Sequence, residues 1–70
     1  MKDVELIKEP VELYKILKFE GMVTSGGEAK AIIADGQVFV NGIIETQKRK
    51  KIVSGDVIKY GVEEIRLQLK

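Results

Sequence analysis

Thr24–Lys51, TSGGEAKAIIADGQVFVNGIIETQKRKK, is the stretch that decides how this chain folds. Ser25 followed three residues later by Glu28 fits a capping box, in which hydroxyl and carboxylate satisfy open N–H groups at a helix start. A helix is predicted from that cap, with Ala29, Ile32 and Ile33 on its buried face and Gly36 as its stop. Gln37 to Val40 and Ile43 to Thr46 then flank Asn41-Gly42. A type I′ turn needs positive φ at both central residues, which Asn and Gly adopt at least cost, so these segments should form a hairpin. Lys48, Arg49, Lys50 and Lys51 follow as a loop, read as a mobile basic arm.

Towards the N-terminus, Asp3 to Ile7 alternates polar and apolar residues and reads as a short strand. Glu9-Pro10 should open a first helix, since proline suits the first helical position. Leu13, Ile16 and Leu17 form its apolar stripe, Lys15 and Lys18 point away from that stripe, and Gly21 ends it. Met22 and Val23 are expected to tuck the connection against the core. Towards the C-terminus, Ile52 returns inward and Ser54-Gly55-Asp56 turns the chain into a strand over Val57 to Tyr60. A last strand over Glu64 to Leu69 alternates Ile65, Leu67 and Leu69 with Glu64, Arg66 and Gln68. The predicted fold class is α+β: two short helices packed on a small, mostly antiparallel β-sheet, with residues 1–70 as a single domain.

Composition removes whole classes of function. A 70-residue chain buries only about 60% of its unfolded surface, so one well-patterned core is the limit. There is no His and no Cys, which removes the commonest general base, the best nucleophile and thiolate metal sites. The reading is therefore not an enzyme, with no cofactor and no metal. No apolar run approaches the roughly 18 residues of a membrane span, so a cytoplasmic protein with no membrane partner is expected. Two Phe, two Tyr and no Trp make a broad base-stacking platform improbable, and Tyr14, Phe19, Phe39 and Tyr60 are read as core or rim packing.

Charge is more telling in its distribution than in its sum of +1. Residues 1–14 set two lysines against four acids, for −2, whereas residues 15–52 set seven cations against four acids, for +3. Local patches of this kind attract polyanions. Two features could hold phosphate. At Ser25-Gly26-Gly27, a helix N-terminus offers unpartnered N–H groups and the positive end of its dipole, with Lys30 a turn later. At Lys48–Lys51, four adjacent like charges call for an anionic partner; Arg49 suits a bidentate phosphate contact and the lysines act as point charges. Lys15 and Lys18 would extend that surface if the two helices lie side by side.

In order and spacing, Ser25, Ala29, Lys30, Ile33, Gly36, Val38, Val40, Asn41, Gly42, Gly55 and Asp56 resemble the RNA-binding domain first recognised in small-subunit ribosomal protein four. Leu13 and Leu17 fit the first helix of that S-four-like domain, whose RNA-binding element is the alpha-L motif, and the resemblance spans about residues 11–60. Gly26 stands where family members often carry Arg, and Glu12-Leu13-Tyr14 where they often carry Arg-Leu-Asp. The Glu45–Ile52 stretch is similar to short, stand-alone bacterial members, with positive charge moved from the helices to the loop. The resemblance implies a monomeric module that binds structured RNA, ribosomal or transfer RNA, with the ribosome among its expected partners. The residues expected at that contact are Lys15, Lys18, Ser25, Gly26, Gly27, Lys30, Lys48, Arg49, Lys50 and Lys51. The competing expectation is a protein-interaction adaptor whose basic loop docks an acidic protein surface.

Overall fold

The computed structural model describes residues 1–69. Its strands are β1 (Lys2–Leu6), β2 (Val11–Glu12), β3 (Val38–Val40), β4 (Ile43–Ile44), β5 (Lys51–Ile52), β6 (Val57–Tyr60) and β7 (Glu63–Leu69). Two helices, α1 (Leu13–Phe19) and α2 (Gly26–Ala34), complete the fold. Five strands form one sheet in the order β1-β7-β6-β3-β4, while β2 and β5 make a separate two-stranded ribbon. Every neighbouring pair is antiparallel except β1 with β7. The fold is thus α+β with a mostly antiparallel sheet, as the patterning predicts.

Period-two alternation sets which face of the sheet is covered. Val4 and Leu6 of β1, Ile65 and Leu67 of β7, Ile58 of β6 and Val38 and Val40 of β3 are all buried. They join Leu13, Ile16 and Leu17 of α1 and Ala29, Ile32 and Ile33 of α2 in one core. Met22 and Val23 are buried in it as well, which closes the connection between the helices. Leu69 continues the alternation but lies at the sheet's end and is exposed. Glu64 and Arg66 point to the opposite, uncovered face, in register with Lys59 and Val57 respectively.

The hairpin forms at Asn41 and Gly42, with φ of 53° and 81°. Its turn is fastened to the next one by side-chain bonds: Asn41 Nδ2 donates to Asp56 Oδ1 at 3.0 Å, and Asn41 Oδ1 accepts the Val57 N–H at 2.9 Å. Asp56 Oδ2 accepts the Val53 N–H at 2.9 Å, so one carboxylate ties both turns. That explains why Asn rather than a second glycine occupies position 41.

Three expectations are corrected. The first helix begins at Leu13, not at Pro10. Proline biases its predecessor to extended backbone, and the next two residues, Val11 and Glu12, are spent pairing with Ile52 and Lys51. The basic run is not a mobile arm: Lys51 is in β5, Ile52 is fully buried, and the carbonyls of Lys48 and Lys50 are bonded to α1. Phe19 is neither core nor rim, since 72% of it is exposed at the last position of α1.

Asn41→Ala removes two hydrogen bonds and puts a Cβ without a local polar partner into left-handed backbone. It should lower unfolding free energy by about 1–3 kcal/mol in urea titrations, and Asn41→Gly by less, because the φ penalty is then absent.

Candidate nucleic-acid interface

The start of α2 is assembled by short-range chemistry. Ser25 is extended (φ −153°, ψ 163°), and its Oγ accepts the Glu28 N–H at 3.1 Å. Glu28 Oε1 reaches back to accept the Thr24 N–H at 2.7 Å and the Thr24 hydroxyl at 2.9 Å. The predicted capping box is therefore present with its return bond shifted one residue outward. Those two bonds from Thr24, the backbone one first, hold the Glu28 carboxyl below its ordinary value of 4.5.

With Glu28 and Ala29 satisfied, the Gly26 and Gly27 N–H groups have no intramolecular acceptor among the described residues. Neither glycine is required by the backbone, because neither has positive φ. Nor is either required by crowding: an added Cβ would meet the Tyr14 ring or Ser25 Oγ at 3.9 Å, ordinary contact in both cases. What the two glycines do provide is an uncovered pair of donors at the positive end of the α2 dipole.

Tyr14 is the pivot of the charged surface beside those donors. Lys30 Nζ lies 4.8 Å from its ring centroid, and Lys15 Nζ and the Arg49 guanidinium carbon each lie at 6.0 Å. One cation thus arrives from α1, one from α2 and one from the loop, attracted by the ring's electron-rich face. Glu12 binds two of them: its Oε1 is 3.2 Å from Lys15 Nζ and its Oε2 is 3.6 Å from Arg49 Nη1.

The loop reaches this place because its backbone is fastened there. Leu13 N–H donates to the Lys50 carbonyl at 2.9 Å and Tyr14 N–H to the Lys48 carbonyl at 3.1 Å. Glu12 occupies the N-cap position of α1 but makes no side-chain cap bond, since loop carbonyls have taken those N–H groups.

Ser25, Gly26, Gly27, Lys30, Lys15 and Arg49 are brought together around Tyr14 and the start of α2. Lys18 joins them at the edge: it is exposed, lies one turn along α1 from Tyr14 and lines the same hollow as Glu12, Tyr14, Lys15 and Gly26. The remaining expected residues are not brought there. Lys48 contributes its carbonyl to α1, and its side chain is exposed. Lys50 and Lys51 line a separate hollow with Asn41, Ile43, Val53 and Asp56, so the four-cation run is split between two sides. Tyr14 and Glu12 stand in this candidate site without having been expected there from the sequence. An aromatic beside the apolar stripe of a helix reads as packing, and Tyr14 does pack partly against the core.

Comparison with known proteins matches the S4 domain family over residues 4–68. The chain is 44% identical over 68 residues to a protein of Escherichia coli (strain K12) provisionally named RNA-binding protein YbcJ, covering 96% of this chain and 97% of the relative. It has the same identity and coverage with the uncharacterised YbcJ of Shigella flexneri. The solution structure of E. coli YbcJ, described as revealing an alpha-L motif involved in RNA binding, superposes with a TM-score of 0.74 at 43% identity. That match covers 97% of this chain and 87% of the other.

A carboxyl whose folded value is lowered contributes stability that is complete above its unfolded value and lost as pH falls through the folded one. Glu28→Gln should therefore be less stable than the parent near neutrality. The gap in melting temperature should narrow as pH drops below about 4, because only the parent's cap titrates.

Proposed function

The chain belongs to the S4 domain family, and we propose that it is a non-catalytic module that binds structured RNA, ribosomal or transfer RNA, through phosphate contacts. The observation that carries this reading is the convergence of Lys15, Lys30 and Arg49 on Tyr14, beside the open N–H groups of Gly26 and Gly27. Three cations from three elements, with adjacent backbone donors, suit the several oxygens of a nucleic-acid backbone better than a single small anion. The naming of the E. coli relative and the alpha-L motif of its structure support RNA as the polyanion.

Recognition on this reading is by shape and phosphate spacing, because the cluster holds few side chains suited to base edges. Lys18, Lys48, Lys50 and Lys51 add longer-range attraction, the last two from the hairpin side, and would meet a second strand or groove. The module acts as a single monomeric domain, and ribosome association follows if its target is ribosomal RNA. Among the described residues, no helix is long and apolar enough to cross a membrane.

The adaptor reading draws on one observation: Lys50 and Lys51 stand beside the exposed Ile43 and Val53, although Glu45 and Asp56 line the same hollow and balance its charge. Pull-down with and without nuclease separates the two. Loss of the captured material on nuclease treatment supports RNA, and a nuclease-insensitive protein supports the adaptor.

Neutralising about four phosphates gives a slope of log K against log salt of roughly −3 to −4, measurable by fluorescence anisotropy with labelled RNA. A flat response would remove the phosphate model. Gly27→Glu sharpens the test, because folding and binding should move in opposite directions. Replacing glycine inside a helix should raise stability by about 0.5–1 kcal/mol, with an added acid favoured near the N-terminus. RNA affinity should nevertheless fall about tenfold or more, from a carboxylate placed against the phosphate position.

A further inference from the structure

Glu12 stands apart from the other acids of this surface. It is the N-cap residue of α1, a position where a carboxylate ordinarily accepts helix N–H groups, yet it makes no such bond. Its two oxygens are divided between two cations from different elements, Oε1 with Lys15 and Oε2 with Arg49. Lys30, which also approaches the Tyr14 ring, has no carboxylate partner among the described residues. The cluster at rest therefore contains one open cation and two that share an internal anion.

We infer that Glu12 is an internal competitor for phosphate: it occupies the place between Lys15 and Arg49 that an incoming phosphate takes, and is displaced when RNA binds. The inference rests on the RNA-binding reading above and specifies how that site discriminates. A carboxylate presenting one oxygen to each of two cations mimics the two-oxygen contact that a phosphodiester makes. Its presence lowers affinity for every polyanion. The cost is the same for every ligand that displaces Glu12, so only those that also engage Lys30 and the Gly26 and Gly27 donors gain enough elsewhere to bind tightly.

Both cations of the pairs are exposed and Glu12 is only half-buried, so the effect is modest. An exposed pair is typically worth a factor of about two to five in an equilibrium constant. Glu12→Gln should accordingly bind unfractionated transfer RNA and total ribosomal RNA about two- to fivefold more tightly at 0.1 M salt. Its salt slope should stay close to the parent's, because Lys15 and Arg49 meet phosphate in both complexes once Glu12 is displaced. Heparin, whose sulfates also displace Glu12, should gain by a similar factor.

Two controls distinguish local displacement from a general change in charge. Glu64→Gln, on the uncovered face of the sheet opposite Lys59, should leave affinity nearly unchanged. Glu12→Gln placed on a Lys15→Gln, Arg49→Gln background should lose its gain, because the cations it releases are absent. Glu12→Asp keeps the charge on a shorter arm and should fall between parent and Gln, which serves as the reading should Gln disturb the ribbon. The inference is overturned if Glu12→Gln binds as the parent does or more weakly, or if Glu64→Gln produces the same gain. A parent protein with no salt-dependent RNA binding at all would instead overturn the underlying RNA reading, a result separable from either.

Discussion

Everything distinctive about this surface depends on two backbone hydrogen bonds, from Leu13 and Tyr14 N–H to the carbonyls of Lys50 and Lys48. A helix start must find partners for its first N–H groups, and here a distant loop supplies them in place of a side-chain cap. The consequence runs in both directions. Helix α1 gains a defined beginning, and a run of four mutually repelling cations gains a fixed backbone path. Once that path is fixed, Arg49 has to project beside Glu12 and Tyr14, and Ile52 has to enter the core next to Val11.

The same constraint explains how an anion surface can be built with little charge on its helices. Of the helical cations, Lys15 and Lys30 come within about 6 Å of the Tyr14 ring centre, and Gly26 and Gly27 contribute no charge. The third cation is imported through the ribbon of β2 and β5. Tyr14 makes the arrangement compact, because one aromatic ring can attract several cations that would repel one another in open water. It also touches the position of Gly26, so the cation cluster and the open end of α2 are one continuous surface.

Legibility in the sequence followed the range of the interactions. The cap of α2, the stop at Gly36 and the Asn41-Gly42 turn are decided by residues within four positions of each other, and each stands where the pattern puts it. The sheet was legible from alternation at Ile65 and Leu67, because a period of two leaves no choice about which side faces inward. The start of α1 was not, since Pro10 carries a local preference for a helix start that pairing with residues forty positions away overrides. The site divides in the same way. Ser25, Gly26, Gly27 and Lys30 could be proposed from local chemistry, whereas the roles of Glu12 and Tyr14 depend on where the loop lands. The cation run was conspicuous in composition, yet its division between Arg49 on one side and Lys50 and Lys51 on the other reflects ladder pairing that four adjacent charges do not reveal.

The central claim is that the start of α2, Tyr14 and the fixed loop form one RNA-binding surface. The most direct test is a two-dimensional NMR titration of isotope-labelled protein with transfer RNA, following backbone amides and the Arg49 side-chain N–H. The account predicts that the largest shifts fall on Gly26, Gly27, Tyr14, Lys30 and Arg49 together, with Lys59, Glu64 and Arg66 on the uncovered sheet face nearly still. Shifts concentrated on that sheet face, or on Ile43 and Ile44 while Gly26 and Gly27 remain unmoved, would contradict it.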